Sequence, residues 1–96
     1  MTNETRDELQ LPEEISIVNI GEWKDKFTDL LESSASVTIN AADLTRVDTA
    51  AVQLLVVFVK ELQSQNIDFE WQSRSAELDK VARQLGLASM LQLESA

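Results

Sequence analysis

Three times along this 96-residue chain, a short segment with apolar residues at every second position gives way to a longer one with helical spacing. A period of two marks a strand with one drier face, and a period of 3.6 marks an amphipathic helix. Leu9, Leu11, Ile15 and Ile17 sit at odd positions around Pro12, which reads as an edge strand broken where proline removes a backbone donor. From Asn19 the period changes. Trp23, Phe27, Leu30 and Leu31 fall at i, i+4, i+7 and i+8, which predicts a first helix that ends at Ser33, Ser34 and Ser36. Val37 and Ile39 begin a β-branched strand. After a turn-like Ala42-Asp43-Leu44-Thr45, a long apolar helical run starts at Asp48 or Thr49, either of which can cap it, and Asn66 closes it. Ile67, Phe69 and Trp71 then alternate with Asp68, Glu70 and Gln72. Ser73 or Ser75 caps a third helix with Leu78, Val81, Ala82 and Leu85 as its stripe. Gly86 is placed as its C′ residue, with Leu87 folding back, and Met90, Leu91 and Leu93 complete the core. Strand and helix alternate three times, which predicts an α/β fold: a mixed sheet of about four strands, three to four helices and right-handed crossovers. The reading is one domain over residues 9–96 behind a loose acidic leader, residues 1–8.

Composition narrows the function. The chain contains no histidine and no cysteine, which removes the commonest general base, thiol nucleophiles, disulfides and the usual zinc ligands. No glycine-rich phosphate loop is present either, so a non-enzymatic role without metal or cofactor is expected. Eight basic residues face 17 acidic ones, a net charge of −9. That balance opposes a phosphate backbone, so nucleic acid is not expected as a partner. The polar start and an apolar run, Ala50 to Val59, interrupted by Gln53 predict neither a signal peptide nor a membrane span, and hence cytoplasmic residence. Trp23 and Trp71 lie on apolar stripes and are read as core.

The central helix carries the functional signal. At about 100° per residue, Ala51, Leu55, Phe58, Val59 and Leu62 point to one side, toward the sheet. Thr49, Gln53, Lys60, Gln63 and Ser64 point away, yet Val56 projects among them and Val57 lies at their margin. One reading is an ordinary exposed or loop-covered valine. The other is a contact stripe of Thr49, Gln53, Val56 and Lys60, at i, i+4, i+7 and i+11, for another protein. Arg46, just before the helix, is a candidate contact or a solvated loop charge. Asp43 and Asp48 form an acidic pair, read as turn and cap residues in preference to a metal or acid–base pair.

The segment ADLTRVDTAAVQLL resembles the signature of the STAS family, the domain of bacterial anti-sigma-factor antagonists. LPEEI is similar to that family's opening, Trp23, Phe27 and Leu30 to its first helix, Val37 and Ile39 to its strand, and ARQLGLASML to its ending. The resemblance spans residues 9 to 93 and implies a STAS-like fold. In such antagonists an aspartate precedes a Ser or Thr at a helix start, and the partner anti-sigma factor, itself a Ser/Thr kinase, phosphorylates that hydroxyl. Asp48 and Thr49 match these positions. Spacing and resemblance together give Asp48, Thr49, Ala50, Gln53, Val56, Lys60 and Arg46 as the expected partner contacts, and the resemblance implies that Thr49 is phosphorylated. It also extends to the STAS subunit of Mla-type lipid-transport complexes, where Thr49 would meet an ABC transporter ATPase without a phosphate cycle. An adaptor in a chemosensory or two-component pathway would use the same surface. Ala51 departs from the pattern where members commonly carry Gly, and is the better helix former by about 1 kcal/mol. The turn Pro12-Glu13-Glu14 also lacks the usual Gly.

Overall fold

The computed structural model describes residues 7–93; of the leader expected over residues 1–8, Asp7 and Glu8 belong to the first strand and the rest lies outside the described residues. The chain runs β1 (Asp7–Gln10), β2 (Glu14–Ile15), α1 (Ile20–Ser33), β3 (Ser36–Asn40), β4 (Arg46–Val47), α2 (Thr49–Ser64), β5 (Asp68–Ser73) and α3 (Ala76–Gln84). The strand-helix alternation is as the periodicity predicts. Instead of one mixed sheet, however, the strands form two parallel units: a three-stranded sheet ordered β1-β3-β5 and a two-stranded ribbon of β2 and β4. The first alternating segment splits at Pro12 into β1 and β2, as a residue without an N–H dictates.

The centre of the sheet is β3, whose Val37 and Ile39 are fully buried. Their cross-strand neighbours are Leu9 on β1 beside Ile39, and Phe69 and Trp71 on β5 beside Val37 and Ile39. Against this layer lies α2, which packs on both α1 and α3. Its Ala51, Leu55, Phe58, Val59 and Leu62 are all in the core, as their spacing requires. Phe58 stacks on Phe27 of α1 with ring centroids 4.3 Å apart, and Trp23 closes on Phe27 at 6.0 Å. Trp71 is half-buried and its indole N–H donates to the Leu91 carbonyl at 2.9 Å, tying the last turn to β5. Leu91 and Leu93 are buried, whereas Met90 is exposed and does not complete the core.

Helix stops are set by local chemistry. Gly86, with φ +72, follows α3 as its C′ residue; Leu87 N–H reaches back to the Ala82 carbonyl at 2.8 Å and Gly86 N–H to Arg83 at 3.1 Å. This two-bond closure satisfies carbonyls that the helix end leaves orphaned. Asn66, φ 58, ends α2 in the same way, with Ile67 N–H on Leu62 and Asn66 N–H on Gln63. At the start of α3 the cap is Ser75, not Ser73. Its Oγ accepts from Leu78 N–H at 3.0 Å and donates to the Leu44 carbonyl at 2.6 Å, a pair of bonds sealed from solvent.

Candidate functional site

The site is assembled at the N-terminus of α2, where β4 delivers the chain. Arg46 and Val47 pair in parallel with Glu14 and Ile15, and Glu13 accepts from the N–H groups of both Thr45 and Arg46. Arg46 is therefore a strand residue, not a free loop charge; it is exposed and its guanidinium lies 3.9 Å from the Glu14 carboxylate. An exposed pair at that distance contributes little.

Asp48, and not Thr49, caps α2. Its backbone is extended, φ −113 and ψ −178, and Oδ1 accepts from Ala51 N–H at 2.9 Å. Oδ2 accepts from Ile17 N–H, also at 2.9 Å. One carboxylate thus closes the helix end and clamps the segment between β2 and α1. That segment is pinned further: Asn19 Oδ1 accepts from Ser16 N–H, Asn19 Nδ2 donates to the Glu14 carbonyl, and Ser16 Oγ donates to the Glu14 carboxylate. The alternation that predicts strand through Ile17 stops at Ile15 because these side-chain bonds replace the ladder. The consequence is an ordered tip whose apolar side chains face water, Ile17 at 68% and Val18 at 86% exposure. Sequence reasoning places Ile17 in an edge strand and passes over Val18. The available signal was the doublet Ile17-Val18, which breaks the period of two between the polar residues Ser16 and Asn19.

Thr49 is the first helical residue and is exposed, directly after the cap. Gln53 and Lys60 are exposed on the same side, and Ala50 is half-buried beside them. Val56 does not belong to this stripe. It is 8% exposed and part of the core cluster, while its neighbour Val57 is 55% exposed. The physical reason is that α2 has helices on two flanks. At 100° per residue Val56 lies about 160° around the axis from Leu54, which faces α1 together with Val57; Val56 is thereby turned to the covered flank. The apolar member of the exposed face is Val57.

Asp43 does not shape the preceding turn. The Asx bond is made by Asn40, whose Oδ1 accepts from Ala42 N–H at 2.9 Å, while Asp43 accepts from Gln10 Nε2 at 3.2 Å. Among the described residues no group of three acidic side chains is placed to hold a metal ion. None of the described helices is long and apolar enough to cross a membrane.

A small α/β layer that presents a capped helix start, an exposed hydroxyl and an ordered apolar tip has the form of a binding module. The STAS domain family matches residues 2–96, and the chain belongs to that family. STAS domains are generally non-catalytic and mediate protein-protein interaction, often in anti-sigma-factor antagonism or transport-related regulation. No curated protein gives a significant match. A solved structure described as a crystal structure analysis of Mglu is similar, with a TM-score of 0.64 and 25% identity over 74% of this chain. The aligned region is 18% of that longer chain.

Proposed function

We propose that this chain is a phosphorylation-switchable binding module of the anti-sigma-factor antagonist type, in which unphosphorylated Thr49 meets a Ser/Thr kinase-type regulator. The observation that carries the reading is the position of Thr49: exposed, first in α2, and adjacent to a cap whose two carboxylate oxygens are already engaged. A phosphate there would add roughly −1.5 to −2 charges opposite the positive end of the helix dipole, so the fold tolerates it. Within a docked interface the same phosphate must be desolvated or oppose carboxylates, and an uncompensated buried charge costs several kcal/mol. The chemistry of phosphoryl transfer belongs to the partner, and a cytoplasmic location suits such a partner. Asp48, Ala50 and Arg46 beside Thr49, with the exposed Gln53 and Lys60 further along α2, are its proposed partner contacts.

The test is Thr49→Glu. It should leave the thermal midpoint within about 3 °C, since surface changes stay near 0.5 kcal/mol, and abolish binding to the kinase-type partner. Tight binding retained by the folded variant would refute the switch. A second reading follows the resemblance to the STAS subunit of Mla-type complexes, members of which also carry threonine at the hydroxyl position: an accessory subunit of an ABC transporter whose ATPase contacts Thr49 without modification. Co-purification with an ATPase, unchanged by phosphatase treatment, would select it.

A further inference from the structure

Of the five large apolar side chains exposed among the described residues, Val57 lines one surface feature, and Ile17 and Val18 precede its first lining residue, Ile20, in the chain. The feature is an open groove between α1 and α2, formed by two adjoining cavities of about 410 and 240 Å³ that share Lys24, Leu54 and Val57. Ile20 and Ala50 line the end next to Thr49, and Leu31 and Glu61 the far end. The exposed Ile17-Val18 tip, whose Ile17 N–H is held by the Asp48 carboxylate, comes three and two residues before Ile20 in the chain. From Ile20 to Leu31 the groove runs about 16 Å along α1, or roughly three turns of a facing helix.

Charge selects the occupant. Asp25 and Glu32 are exposed and lie seven residues apart, on the outward flank of the α1 residues that line the groove. Glu61 closes the opposite wall. Against these three carboxylates stand Lys24 in the groove and Lys60 beyond its α2 edge. A second copy of the chain would bring a net charge of −9 against −9, and like charges juxtaposed across an interface are costly. An amphipathic helix with apolar anchors at i, i+3 or i+4 and i+7 fills such a groove, and basic flanks match its rim.

We propose that the α1–α2 groove is the docking surface for an amphipathic helix of a partner protein, apolar on one face and basic along its edges. The proposal rests on the chain being a binding module and is independent of phosphorylation at Thr49.

The probe is a 16-residue helical peptide with leucine anchors and Lys/Arg flanks, compared with the same peptide carrying Glu flanks. Isothermal titration of the full chain should give a dissociation constant of about 100 µM or tighter for the basic peptide. Val57→Glu should weaken binding about tenfold or more by placing a charge on the apolar wall. The double variant Asp25→Lys/Glu32→Lys should lower affinity for the basic peptide and raise it for the acidic one. Absence of binding at millimolar peptide, equal affinity for both peptides, or indifference to Val57→Glu in a variant that keeps its circular dichroism spectrum would overturn the proposal. So would a wild-type dimer in sedimentation equilibrium that Val57→Glu disperses, since the occupant would then be a second copy. The Thr49 switch is decided separately, by Thr49→Glu and the kinase-type partner, so the two can fail independently.

Discussion

Val56 and Val57 are the same residue at consecutive positions, and the two flanks of α2 treat them in opposite ways. On one flank the helix is sealed and Val56 joins the core; on the other α1 leaves a groove and Val57 meets water. The helix caps repeat the contrast. Ser75 makes its two hydrogen bonds out of solvent at 4% exposure, while Asp48 makes two bonds at the surface and holds an apolar tip in place. One side of the molecule uses hydrogen bonds and apolar contact for stability. The other uses similar chemistry to hold apolar side chains at the surface.

Substitutions can break that contrast. The largest effect is expected for Val56→Asp, which places a charge in the core cluster. A loss of about 3 kcal/mol or more would lower the thermal midpoint by at least 12 °C at roughly 4 °C per kcal/mol, measured by calorimetry. A variant as stable as wild type would show that the Val56 flank opens in solution. Ser75→Ala comes next, at about 2 kcal/mol, because it removes a helix cap and strands the buried Leu44 carbonyl; chemical denaturation should report a lower midpoint at unchanged slope. For Asp48→Ala the cap loss is about 1 kcal/mol. Its sharper signature is amide hydrogen exchange: Ile17 N–H should lose protection, whereas retained protection would mean that the tip is held without the carboxylate. The smallest effect is expected for Val57→Ser, within about 0.5 kcal/mol of wild type, and a larger loss would place Val57 with Val56.

Much of this architecture is readable from residue spacing. Trp23 and Phe27, the β3 pair Val37 and Ile39, and the alternation through Phe69 and Trp71 each lie where a single periodicity places them. What escapes is whatever depends on a second element. The two-residue β4 has no period to detect and exists because β2 supplies its partner. The fate of Val56 depends on which flank of α2 a neighbour covers, and a helical wheel gives an angle but not a neighbour. Strand propensity carries Ile17 one pleat too far because local bonds of Ser16 and Asn19 compete with the ladder and the bond to the Ile17 N–H itself comes from Asp48, 31 residues away. Asp48 and Thr49 were legible as a capped helix start; that Asp48 also reaches across to the tip was not.

The pairing of strands has a consequence for how the chain comes into being. Among the described residues every strand partnership joins segments about 30 residues apart, as in Asp7 with Val37, Glu14 with Arg46 and Ser36 with Asp68, and none joins consecutive strands. During synthesis, β1 therefore waits for its first partner until β3 has left the ribosome, and β3 waits again for β5. Helices α1 and α2 are complete before the strand that follows each of them can dock. The nascent chain consequently passes through a stage in which two amphipathic helices precede a closed sheet, and the surface between those helices can assemble before β5 arrives to complete the sheet.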